Sequence, residues 1–183
     1  MGRGLTQMNA DYKKSSDPRL AASIRGYKDY LALAIATCGV GYMPIAPGTF
    51  GSLVGVAIFW GLTRVAAGTV LLVAATLVFI FVGIWAGTRT EALSGRKDPG
   101  KIVVDEVAGQ LIALFPLVFV KWSIMTVMLS FILFRFFDIV KPYPANRLQD
   151  LKGGAGVMCD DLVAGAYAAI IVSIILGALA YGT

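Results

Sequence analysis

The chain has 183 residues, 57% of them hydrophobic and only 15% charged, with a mean hydropathy of +0.76. Soluble globular domains carry about 25% charged residues, so this composition excludes an ordinary soluble domain and suits one helical membrane domain. The net charge is +5 and histidine is absent, which excludes imidazole metal sites and phosphohistidine chemistry.

Residues 1–28 carry Arg3, Lys13, Lys14, Arg19, Arg25 and Lys28 with little hydrophobic patterning. They read as a flexible basic arm rather than a signal peptide, because no apolar core and cleavage site follow in order. Its expected partner is anionic membrane lipid, not nucleic acid. Residues 29–183 read as a single membrane-embedded helical domain.

Within that domain, the apolar stretch 30–40 is too short to cross a bilayer and runs into GYMPIAPGTFGS, whose Gly and Pro break a helix. Residues 30–46 are therefore expected to form a re-entrant or interfacial half-helix. Longer apolar runs follow at 50–66, 69–88, 102–120, 122–138 and 157–181, against the roughly 20 residues a spanning helix needs. The expected fold is an all-α polytopic bundle of about five spans plus that short N-terminal helix. The basic residues agree with it. If 30–46 does not cross, fourteen of the sixteen Lys and Arg fall on one side, and only Arg64 and Lys121 on the other. That bias predicts a cytoplasmic N-terminus. No internal repeat suggests a transporter built from inverted halves.

Five of the eleven acidic residues lie inside or beside these apolar runs: Asp105, Glu106, Asp138, Asp160 and Asp161. An ionised carboxylate in hydrocarbon costs at least a few kcal/mol, which makes all five functional candidates. With the five-span topology they fall at the cytoplasmic end of the bundle, beside the PGTFGS loop. Asp105 and Glu106 are neighbours and point about 100° apart on a helix, so a shared site must lie between their directions. Asp105, Ala108, Gly109 and Ile112 share a face that lets another helix approach closely. Arg135, Asp138 and Lys141 are spaced to meet on one helical surface. Asp160 and Asp161 are expected in the first turn of the last helix, where the dipole favours acids. Thr49 or Ser52 is expected to cap the helix that PGTFGS opens, and its free N–H groups suit a phosphate.

Carboxylates gathered with Arg and Lys at one membrane face suit Mg2+ bridging to a substrate phosphate. Thr49, Ser52, Arg135 and Lys141 are the candidate phosphate ligands. Cys38 and Cys159 do not read as a disulfide framework, and neither opens a C-x5-R loop.

PIAPGTFGS, IVVDEVAGQ, FRFFDIVKPYP and GVMCDDLVAGAYA stand in the order, and near the spacing, of the phosphatidylglycerophosphatase A family. The chain resembles that family from about residue 30 to 180. The resemblance implies a phosphoric monoester hydrolase that converts phosphatidylglycerophosphate to phosphatidylglycerol with Mg2+ in the bacterial inner membrane. It also implies Asp105, Glu106, Asp138, Asp160 and Asp161 as acidic site residues. The expected division places Asp105, Asp160 and Asp161 at the metal, with Glu106 or Asp138 orienting water. Nothing specifies an oligomeric state.

Two alternatives are weaker. A CDP-alcohol phosphotransferase needs D-x2-D-G-x2-A-R followed by G-x3-D-x3-D, an arrangement missing around Asp160 and Asp161. A cation or proton transporter predicts carboxylates near mid-span, whereas these lie near one face.

Overall fold

A computed structural model describes residues 26–181. The basic arm assigned to 1–28 lies outside the described residues except for its last three, and Tyr27 and Lys28 already belong to the first helix. The described elements are α1 (Tyr27–Thr37), α2 (Pro47–Leu62), α3 (Gly68–Ser94), α4 (Val104–Leu114), a 3-10 turn (Phe115–Phe119), α5 (Ile124–Val140), the one-turn α6 (Ala145–Leu148) and α7 (Gly154–Tyr181). No strand occurs among the described residues.

Two helices, α3 with 27 residues and α7 with 28, are long and apolar enough to cross a membrane. That is fewer than the five runs suggested. At 1.5 Å per residue, the 16 residues of α2 and 17 of α5 reach about 24–26 Å, short of a hydrocarbon core of about 30 Å. The run 102–120 departs furthest from expectation. Its α-helix covers only 11 residues, because Pro116 falls in the following turn and cannot continue an α-helix. The 11 residues of α1 are likewise shorter than a crossing needs.

The short α4 is the centre of the molecule. It packs against α1, α2, α3, α5 and α7, and Val104, Asp105, Val107, Ala108, Gly109, Gln110, Leu111, Ala113 and Leu114 are all buried. A helix buried on every side must be approached closely by its neighbours, and small residues allow this. On α2, a Cβ added to Gly51 would lie 2.9 Å from Val103, and one at Gly55 would lie 3.0 Å from Gln110. On α7, Gly165 faces the backbone of Gly109, whose own added Cβ would meet Phe134 at 2.5 Å and the Asp161 carbonyl at 2.7 Å. The small-residue face expected at Gly109 is thus where α7 crosses α4.

Polar ties fix the remaining pieces. Arg89 on α3 donates to the buried carboxylate of Asp29 on α1 at 2.7 Å. The Val103 N–H donates to the Ala36 carbonyl at 2.8 Å, so the strap entering α4 is held by α1. The start of α7 is docked through the Gly154 N–H, which donates to Thr88 Oγ1 at 2.9 Å.

Replacing Gly109 by Val forces apart two helices already in backbone contact, an overpacking expected to cost at least about 2 kcal/mol. Gly177→Val is the control, because a Cβ there meets nothing within 4 Å. Thermal unfolding in detergent should show a clear drop in midpoint for the first and little change for the second. Equal midpoints would contradict the close crossing.

Candidate metal and phosphate site

The first turn of α4 carries Asp105 and Glu106, where the helix dipole favours acids. Asp161 reaches the same point from α7. Each of the three offers one carboxylate oxygen, and these oxygens all lie within 4.8 Å of one another. Asp105 and Asp161 are buried, and Glu106 is half-buried. Both neighbours on α4 therefore contribute, because the cluster sits between their directions. Asp160 and Asp161 are not in a first turn: α7 begins at Gly154, after Gly153 turns the chain with φ +67. The dipole explanation for that pair fails, since its effect fades beyond the first turn.

The two cations flank this cluster, each held by its own acid. Arg135 Nη1 lies 2.5 Å from Asp138 Oδ2. Lys141 does not join Arg135 and Asp138 on a helical surface. The α5 helix ends at Val140, and Lys141 takes a left-handed backbone (φ 46) that turns its ammonium onto Asp160. Burial pulls the Lys141 pKa down, but its bond to Asp160 and the charges of Asp161 and Asp138 outweigh this and raise it. Lys141 therefore stays cationic at any ordinary pH. Asp160, expected as a metal ligand, gives Oδ2 to this ion pair and keeps Oδ1 buried without a partner among the described residues, while Glu106 stands with Asp105 and Asp161.

The PGTFGS segment arrives from α2. The helix begins at Pro47 with Ala46 as its N-cap, and no side chain caps it. Proline suits the first helical position and starts the helix too early for Thr49 or Ser52 to cap it. The Ser52 hydroxyl is fully buried and donates to the Gly48 carbonyl at 2.9 Å, so it is spent inside the helix. Thr49 is half-buried in the first turn. Gly48 has the tightest fit: a side chain there would strike the Glu106 carboxylate and come within 3.2 Å of Arg135. Only glycine lets the backbone of α2 approach both.

Two residues outside the expected set belong to this region. Asp98 has a left-handed backbone (φ 44), and its N–H donates to Glu91 Oε1 at 2.7 Å. Its charge is felt by Asp105 and interacts with Lys141, Asp160 and Asp138. In sequence it is one charge in the loop RKDPGK, with no signal separating it from its neighbours. Gln110 lies one turn after Glu106, fully buried, and neither amide atom has a hydrogen-bond partner among the described residues. Its signal was legible as the lone polar residue between Glu106 and Lys121. Cys38 contributes no nucleophile, because burial and then Asp105 push its thiol up to about 11.

The donor set fits a hard divalent cation. Asp105 Oδ1, Glu106 Oε2, Asp160 Oδ1 and Asp161 Oδ2 are buried without hydrogen-bond partners among the described residues, and an all-oxygen set is what Mg2+ prefers. Charge points the same way. Asp105, Glu106, Asp138, Asp160 and Asp161, when ionised, exceed Arg135 and Lys141 by three negative charges, and buried charge needs compensation.

The family model described as phosphatidylglycerophosphatase A matches residues 33–176. A Bacteroides thetaiotaomicron protein named "Putative phosphatidylinositol-3-phosphatase" is 39% identical over 79% of this chain and 93% of its own length. Proteins named phosphatidylglycerophosphatase A from Haemophilus influenzae and Escherichia coli are 37% and 35% identical, over 73% and 72% of this chain and 81% and 74% of their own lengths. No solved structure gives a significant match.

The Lys141–Asp160 pair supports a thermodynamic test. Removing the ammonium with Lys141→Met strands a buried carboxylate, an expected loss of about 2 kcal/mol given the partial exposure of the lysine. Asp160→Asn added to Lys141→Met should recover much of it. A double-mutant cycle with no coupling would show that the pair is not formed.

Proposed function

The chain belongs to the phosphatidylglycerophosphatase A family, and from that footing we propose that it hydrolyses the terminal phosphomonoester of phosphatidylglycerophosphate, releasing phosphatidylglycerol and phosphate, with Mg2+ held by Asp105, Glu106 and Asp161. That it is a phosphatase, a phosphoric monoester hydrolase, follows from family membership. The observation that carries the site assignment is the convergence of three carboxylates, with unpartnered buried oxygens, beside two cations.

Bound Mg2+ supplies Lewis-acid polarisation of the phosphoryl group and acidifies water. The protein's own residues do the rest. Arg135 and Lys141 offset charge on the phosphate as the ester bond breaks. Asp138 and Asp160 keep those cations aimed at the site, so little reorganisation is needed when substrate enters. Gly48 keeps the start of α2 against Glu106 and Arg135, leaving room for a phosphate where a side chain would otherwise stand. Thr49, in the same turn, remains a phosphate ligand in this reading, and Ser52 does not.

The proposed setting is the bacterial inner membrane, crossed about five times, with α1 lying at the interface and the site at the cytoplasmic face. The bias of basic residues supports this orientation. The candidate residues come from the starts of α2 and α4, an early turn of α7 and the end of α5, as chemistry gathered at one membrane face would need. Helices α2 and α5, shorter than the hydrocarbon core, would be accommodated by local thinning or snorkelling of flanking residues, and the still shorter α4 with its 3-10 turn would cross only inside the five helices that enclose it. Anionic lipids are the proposed partners of the basic face. A second substrate deserves an arm of the assay, because the Bacteroides relative bears the name of a phosphoinositide phosphatase.

Detergent-purified protein should release phosphate from phosphatidylglycerophosphate with Mg2+ and not with EDTA. Asp105→Asn and Asp161→Asn should each lower kcat by a factor of about 100 or more while remaining folded. Faster turnover of phosphatidylinositol 3-phosphate would reassign the substrate. Full activity in EDTA would remove the metal.

A further inference from the structure

Gln110 is the buried polar group that the proposed chemistry leaves without a task. It lies four residues after Glu106, so the two side chains rise from the same face of α4, with Cβ atoms about 5–6 Å apart. The two meet the same glycine stripe of α2. Gly48 and Gly51 press on Glu106, and Gly55 presses on Gln110, with an added Cβ 3.0 Å from Gln110 Cβ and 3.1 Å from Cγ. The seam between α2 and α4 thus holds two polar side chains one turn apart.

Neither finds a full complement of partners. Among the described residues, Gln110 is fully buried with both amide atoms unbonded, and Glu106 Oε2 is buried and unbonded as well. The unbonded atoms of both side chains find no protein partner among the described residues. The glycines of α2 present no side chain, the backbone groups of both helices serve their own i→i−4 bonds, and Val107 and Leu111 beside Gln110 are aliphatic. A buried carboxamide needs a donor and an acceptor, and water supplies both where a site is polar on two sides.

We propose that Gln110 is a positioning residue: its amide and the Glu106 carboxylate share an ordered water in the α2–α4 seam, which holds Glu106 turned toward Asp105 and Asp161. The inference rests on the metal reading of that cluster. Gln110 itself touches neither substrate nor metal. It acts through Glu106, as outer partners of metal-ligating carboxylates commonly do.

The test compares wild type, Gln110→Met and Gln110→Asn as purified full-length protein. Methionine keeps the volume and removes the amide; asparagine keeps an amide that water can still reach. Mn2+ binding, titrated by electron paramagnetic resonance without lipid, should weaken about tenfold in Gln110→Met. Its kcat should fall by a similar factor with KM for the lipid unchanged, and Gln110→Asn should regain much of both. Unchanged Mn2+ affinity and kcat in a folded Gln110→Met protein overturn the proposal, as does a loss confined to thermal stability. If Gln110→Met does not fold, density for the wild-type protein decides. A water within about 3.2 Å of both side chains is expected, and a direct Gln110–Glu106 bond or an amide satisfied by backbone refutes it. Wild type that binds no Mn2+ would overturn the metal reading alone, and the same density would still judge the water.

Discussion

The structure depends on burying the first turn of α4 without exposing it to lipid. Asp105 and Glu106 sit at the start of a helix enclosed by five others, so protein rather than hydrocarbon surrounds them. An unpaired carboxylate in an apolar medium is prohibitively costly. The helices around α4 must therefore bring polar partners while leaving no gaps. Glycines on α2 and α7 solve the second requirement, and Arg135 and Lys141, each paired with an acid beside the cluster, answer part of the first. Because α4 is only 11 residues long, the 3-10 turn at Phe115–Phe119 lets the chain leave the core promptly. The fold is organised around the site.

The charges are arranged in two layers. Arg135 pairs with Asp138, and Lys141 pairs with Asp160, each across the same end of the bundle. Those pairs leave Asp105, Glu106 and Asp161 as the acids with the greatest need for a cation. A buried ion pair is weak evidence for stability, because desolvation offsets much of its attraction. Its value here is positional. Lys141 departs from the helix in a left-handed conformation, the kind of local strain that tends to collect at functional sites. That turn is what aims the ammonium at Asp160.

The long helices serve a different purpose. α3 and α7 carry the apolar length and meet through Gly83, Gly87 and Gly154, with a Cβ on Gly83 lying 2.9 Å from Met158. Thr88 and Gly154 lock the start of α7 to α3. This sets the height of Asp160 and Asp161, six and seven residues further along, against the first turn of α4. A phosphatase acting on a membrane lipid needs its charged chemistry at the level of the headgroup and its apolar surface below. Rigid long helices beside a short buried one meet that need.

Several features were determined by the sequence alone. All-helical structure follows from long apolar runs punctuated by Gly and Pro. Acids in such runs mark the candidate site, because composition makes them costly wherever they are buried. Four motifs in order point to the family. Tertiary structure decided what depends on where chains meet. Asp160 and Asp161 are adjacent in sequence, yet one binds Lys141 and the other joins Asp105 and Glu106, since successive helical residues point about 100° apart and only packing shows which neighbour each faces. The helix starts were decided in the same way: Pro47 and Gly154 open α2 and α7 ahead of the polar residues that the motifs offered as caps or first-turn acids. Asp98 shows the limit most clearly. One charge in a loop of charges carries no mark of its surroundings in sequence, and whether it meets water, hydrocarbon or another charge is settled by long-range contacts.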